Sequence, residues 1–97
     1  MKFLVMWKLR LELLSPEVAR AVSAVPEYGE RLEGQGKVIA RYHIVGAHGG
    51  AWIYDVDSHE EFERLLGTSP VFNFAEYTVH PLAAMAPSGR NRRQGSG

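Results

Sequence analysis

The chain has 97 residues, of which 45% are hydrophobic and 23% charged, a balance that suits one folded domain with one modest core. Eleven basic side chains match eleven acidic ones, so no general field draws the protein to nucleic acid or to an anionic membrane. The absence of cysteine excludes disulfides, thiolate nucleophiles and thiolate metal sites, and it fits a reducing cytoplasm.

The opening MKFLVMWKLRLELL is interrupted by Lys8, Arg10 and Glu12 and lacks a small-residue cleavage site, so it does not read as a signal peptide. No stretch approaches the roughly 20 apolar residues of a membrane-spanning helix. The expectation is a soluble, cytoplasmic protein.

Lys2–Leu11 predicts a strand, with Phe3, Val5, Trp7 and Leu9 on one face and Leu4, Met6, Lys8 and Arg10 on the other. Ser15-Pro16-Glu17 predicts a helix start: a hydroxyl cap, proline at the first helical position and an acid in the first turn. Val18, Val22 and Val25 follow at helical spacing, and Tyr28 and Leu32 extend that face beyond Pro26. The proline lacks an N–H, which predicts a kink or break near Val22–Val25. Glu33–Gly36 ends the helix, since glycine tolerates the left-handed cap conformation. Lys37–Val45 and Ala51–Val56 read as the second and third strands, joined by a turn in which Gly46, Gly49 and Gly50 supply positive φ. Asp57–Leu66 is a second helix, capped by Ser58, with Phe62, Leu65 and Leu66 inward, and Gly67–Pro70 stops it. Phe74–Leu82 alternates as a fourth strand.

The order is β-α-β-β-α-β, the pattern of an α+β, ferredoxin-like domain over residues 1–87: a four-stranded antiparallel sheet with two helices on one face. Residues 88–97 read as a disordered basic tail, with nothing apolar to bury. Large apolar groups lie on both strand faces, so the bare face predicts a partner surface and a homodimer or higher homo-oligomer.

The opening MKFLV, the trio Tyr28, Leu32 and Gly36, the run from Val45 to Glu61, Leu65–Phe72 and Val79–Leu82 together resemble the muconolactone isomerase family over most of residues 1–87. The resemblance implies a dimeric α/β-barrel type of assembly, no metal or organic cofactor, and a small-molecule substrate. The family's name activity shifts a carbon–carbon double bond in an unsaturated lactone carrying a carboxylate. Related α/β-barrel proteins include cofactorless monooxygenases and cyclases of aromatic polyketides. Met6 and Ala47 stand where such proteins tend to carry basic residues, and the aromatic content here is higher, which points to a larger, flatter substrate.

A double-bond shift needs one group to take a proton from carbon, another to return it, and a donor for the enolate between those steps. In the fourth strand, alternation sends Glu76, Thr78 and His80 away from Tyr77 and Val79, onto the bare face. Glu76 and His80 are proton-transfer candidates there, and a wet edge strand is the alternative. In the second strand Arg41 and His43 share a face opposite Val38, Ala40, Tyr42 and Ile44. His43 is a third proton-transfer candidate; Arg41 suits a carboxylate or enolate oxygen, or an intersubunit ion pair. Trp52 and Tyr54 offer flat walls, with Tyr54 as a proton donor, or else packing in the core. Lys8 at the rim, His48 at the turn tip, Thr78 and Tyr28 complete the substrate-binding candidates.

The four histidines show no H-x-x-x-H or H-E-x-x-H spacing, so no metal site is expected. The run GAHGG lacks the phosphate-loop pattern and leads into a strand. The reading is a cofactor-independent isomerase or cyclase acting on a small cyclic lactone or polyketide-like substrate in a cavity on the bare face. Its alternatives are a cofactorless monooxygenase and a non-catalytic, ligand-binding dimer.

Overall fold

Two serine caps set the helices, and strand alternation sets most of the sheet. The computed structural model describes residues 1–86 of the chain. Its elements are β1 (Lys2–Leu9), α1 (Pro16–Ser23), α2 (Val25–Gly34), β2 (Val38–His43), β3 (Gly49–Asp55), α3 (His59–Gly67) and β4 (Ala75–Leu82). The expected basic tail lies outside the described residues.

Ser15 Oγ accepts the Val18 N–H at 3.2 Å, and Ser58 Oγ accepts the Glu61 N–H at 3.0 Å. Each satisfies a backbone donor that a helix start otherwise leaves free. The Glu61 carboxylate reaches back to the Asp57 N–H at 2.8 Å, which makes the second cap reciprocal. Of the kink or break expected near Val22–Val25, the structure has a break: α1 ends at Ser23, and α2 restarts at Val25 with Pro26 in its first turn. There the missing proline N–H costs no helical bond.

The four strands form one antiparallel sheet ordered β2-β3-β1-β4, so β2 and β4 are its edges. Phe3 and Val5 of β1 and Trp52 and Tyr54 of β3 are buried beneath the helices, together with Val25, Tyr28 and Leu32 of α2. Phe62 of α3 stacks on Phe3, with ring centroids 4.2 Å apart, and meets Tyr54 edge-on at 5.4 Å. The Tyr28 hydroxyl donates to the Leu65 carbonyl at 2.5 Å and lies 2.8 Å from Thr68 Oγ1. That phenol fastens α2 to the end of α3.

Among the described residues, no helix covers the opposite face of the sheet, which is bare in that sense. It carries Leu4, Met6, Ala51, Ile53 and Tyr42, and Met6 and Tyr42 are 39% and 63% exposed.

Two expectations need correction. In β2, Val38 pairs with Tyr54 but Ala40 pairs with Ile53, so Ile39 is an extra residue that β3 does not match. Such a bulge resets the alternation after it. Val38 therefore shares a face with Arg41 and His43, which pair with Trp52 and Gly50. All of them look toward the helices, and only Ala40 and Tyr42 look away.

The second correction concerns the turn. Gly46 has a positive φ of 84°, but Gly49 and Gly50 do not and belong to β3. They are glycines because a side chain would not fit. A Cβ on Gly49 would stand 1.9 Å from the Trp7 carbonyl oxygen, and one on Gly50 would stand 2.9 Å from that of Tyr42.

Candidate active site

The bulge brings polar groups into the layer between sheet and helices. At the β2 edge, α1 and α2 stand off the sheet and leave a cavity of about 410 Å³, within the range of small-molecule sites. Val22, Val25 and Pro26 wall it on the helix side, and Trp7, Trp52 and Gly50 on the sheet side. Its ionisable side chains are Glu33, Arg41 and His43; Tyr42 also borders it, although its side chain looks to the bare face.

Arg41 is the most constrained of these. Its guanidinium lies over the Trp52 ring at 5.5 Å and is 3.1 Å from Glu33 Oε1. A Cβ on Gly29 would come within 2.4 Å of Arg41 Nη1, so the helix is notched where the guanidinium passes. Gly29 and Glu33 are one turn apart on α2 and thus present notch and anchor on the same helix face. Arg41 Nε is buried with no hydrogen-bond partner among the described residues. His43 follows two residues along the same strand face, about 7 Å further on at the ordinary strand rise.

The other candidates separate into two groups. Lys8 faces Glu76 directly across β1 and β4 on the bare side of the sheet. With His48 they border a second, shallow recess of about 560 Å³ at the β1 end. The His48 carbonyl accepts the Leu9 N–H there at 2.9 Å, which pins the turn to β1. Thr78 and His80 follow on that same bare face, opposite Met6 and Leu4. The expected single cavity on the bare face, shared by Glu76 and His80 with Arg41, His43, Trp52 and Tyr54, is therefore corrected: the sheet stands between the two sets.

Tyr54 and Tyr28 are in neither recess. Tyr54 is 3% exposed, and burial, followed by its neighbours Tyr28 and Tyr77, pushes its phenol well up from the ordinary value. It is a poor proton donor near neutral pH. The Tyr28 hydroxyl is engaged by Leu65 and Thr68, a packing role in place of the expected substrate contact.

The profile of the muconolactone delta-isomerase family matches residues 1–87. The chain belongs to this family. A muconolactone delta-isomerase of Cupriavidus pinatubonensis (strain JMP 134 / LMG 1197) is 38% identical over 56 residues, which are 58% of this chain and 61% of that relative. The chain thus spans about three-fifths of the length of the curated relative it matches. A crystal structure of a muconolactone isomerase aligns over 88% of this chain and 91% of its own, with TM-score 0.77 and 22% identity. A 5-chloro-2-hydroxyhydroquinone dehydrochlorinase from Burkholderia phenoliruptrix AC1100, in complex with 2,5-dihydroxybenzoquinone, aligns over 86% of this chain and 94% of its own, with TM-score 0.63 and 18% identity. At such identities the two structures establish the ferredoxin-like fold.

Sequence reasoning overlooks two members of the cavity, Glu33 and Trp7, and the notch at Gly29 through which Arg41 passes. Glu33 reads as part of a helix stop, Gly29 as an unremarked helical residue, and Trp7 as core. A signal exists for Gly29 alone: glycine inside a helix costs up to about 1 kcal/mol against alanine, so its presence there calls for a close neighbour.

Proposed function

We propose that this chain is a cofactor-independent isomerase that moves a carbon–carbon double bond in a small unsaturated lactone by proton transfer, in the cavity between α1, α2 and the β2 edge. The observation that carries the reading is the family match across residues 1–87, joined to a cavity that holds an arginine and a histidine on one strand face. In this scheme His43 takes the proton from carbon on an imidazole nitrogen and returns it to the new position. Arg41 holds the carboxylate or the enolate oxygen that develops between the two steps. Trp7 and Trp52 give the cavity flat apolar walls, which suit a planar ring and leave room for one larger than a simple lactone.

Glu76, Thr78, His80 and Lys8 cannot reach a substrate held on the helix side of their own chain. Their place is at the bare face, which a second copy of the chain would cover in a homodimer or larger assembly. A cytoplasmic location agrees with the cysteine-free sequence, and no helix among the described residues is long and apolar enough to cross a membrane.

The test is incubation of the protein with muconolactone in deuterated water, followed by proton NMR. The expected result is migration of the double bond with deuterium entering at the protonated carbon, and at least a hundredfold slower turnover in His43→Gln. Unchanged turnover in that variant would remove His43 from the chemistry. No migration at all with the wild-type chain would remove the isomerase reading.

A further inference from the structure

Gly50 forms part of the cavity floor, and what surrounds it is not ordinary core. The point where its Cβ would sit is 3.0 Å from Trp7 Nε1 and 3.3 Å from Trp52 Nε1. Two indole nitrogens from two neighbouring strands thus converge above a residue with no side chain. The pairing explains it: Trp7 lies directly opposite Gly50, and Trp52 is two residues along on the same face.

An indole N–H can only donate, and when buried it usually has a partner. The side-chain hydrogen bonds among the described residues include neither indole. The buried side-chain polar atoms that lack a partner there are Arg41 Nε and the Tyr77 hydroxyl. Both indole N–H groups therefore open onto accessible space, and the space beside them is the cavity.

The Arg41 guanidinium over the Trp52 ring adds two effects. Its charge favours an anion nearby, and it draws electron density from the indole, which strengthens the N–H as a donor. Nothing acidic lies on the sheet floor of the cavity; Glu33 is held on the helix side by Arg41.

We infer that Trp7 Nε1 and Trp52 Nε1, converging over Gly50 beneath Arg41, form an oxyanion subsite, and that the ligand is a flat ring bearing a carboxylate or enolate oxygen at its edge. The inference rests on the helix-side cavity being the substrate site, and it adds to that reading two indole donors for the anionic oxygen beside Arg41. A neutral ring of the same shape fills the cavity without satisfying either indole.

The test uses benzoate and nitrobenzene, which share size and planarity and differ in charge and in acceptor strength. The chain has two tryptophans, so a 15N-labelled sample gives two indole cross-peaks, both of them reporters of this cavity. Benzoate is expected to move both indole protons downfield, saturably and with one Kd, and to bind at least tenfold more tightly than nitrobenzene. Trp7→Phe keeps a flat wall and removes one donor. It should weaken benzoate at least fivefold and change nitrobenzene by less than twofold. Gly50→Ala, which places a methyl between the donors, should do the same if the strand tolerates it; Trp7→Phe decides the matter if it does not. Equal losses for both probes in Trp7→Phe would mean that the indole only packs, and would overturn the inference. Equal affinity of the wild type for the two probes would also overturn it and leave the cavity reading standing. Indole signals indifferent to both probes would remove the cavity and the subsite together.

Discussion

Replacing Tyr28 by phenylalanine removes one oxygen and leaves the ring that α2 buries. That oxygen donates to the Leu65 carbonyl at 2.5 Å and lies 2.8 Å from Thr68 Oγ1. The partners left behind are not stranded. The single proton of Thr68 Oγ1, given to Tyr28 in that pair, can turn instead to the Arg64 carbonyl at 2.9 Å or the Leu65 carbonyl at 3.3 Å, and Thr68 is exposed to water. The full penalty for a buried orphan therefore does not apply, and the loss is the net worth of two hydrogen bonds, about 1.5 kcal/mol in all. For a domain of this size that lowers Tm by about 6–12 °C. Urea denaturation, followed by tryptophan fluorescence, measures the difference directly. Combining Tyr28→Phe with Thr68→Val closes a double-mutant cycle, and a coupling of about 0.5 kcal/mol or more is expected. A Tyr28→Phe protein within about 0.3 kcal/mol of wild type, with no coupling to Thr68, would refute the view that this phenol fastens α2 to α3.

Gly49→Ala sets a methyl 1.9 Å from the Trp7 carbonyl oxygen and 3.0 Å from Lys8 Cα, both backbone atoms that cannot swing aside. It should cost about 3 kcal/mol, whereas Gly34→Ala, with nothing within 4 Å of the new carbon, should be neutral or stabilising; equal stabilities in a thermal melt would contradict this. The Asp57 N–H and then the Lys37 ammonium hold the Glu61 carboxyl below its ordinary value. Its contribution is therefore present above the usual carboxylate range near pH 4.3 and is lost as pH falls through the lower folded value. Glu61→Gln should flatten that acid limb of the stability–pH curve, and a parallel curve for the variant would show that Glu61 does not carry it.

Much of this fold is legible because its signals are local. Ser15 and Ser58 start helices by chemistry confined to three residues, and Pro26 marks the break between α1 and α2. Alternation assigns faces correctly in β1 and β4, where Phe3 and Tyr77 point to the helices; in β3 it groups Trp52 with Tyr54 but does not say that the pair lies beneath the helices and not on the bare side. It fails in β2 because Ile39 is as apt for a strand as its neighbours, and nothing in its composition marks it as unpaired. That one residue puts Arg41 and His43 on the side opposite to the one alternation suggests for them. Glu33 and Gly29 are hard to read for a different reason. Their partner, Arg41, lies in another element, and only the packing of α2 on β2 brings them together.

The unmatched Ile39 also bears on how such a protein diverges. Substitutions change what a side chain is; a one-residue shift of register ahead of Arg41 changes which side of the sheet it serves. Pairing Ile39 with Ile53 in a regular ladder would turn the arginine and the histidine together from the enclosed layer to the bare one, with every side chain in the strand intact, whereas deleting Ile39 would leave Arg41 opposite Trp52. Register in this short segment is heritable information about chemistry, invisible to a tally of matching residues. Two homologues alike at every polar position could carry their reactive groups on opposite sides.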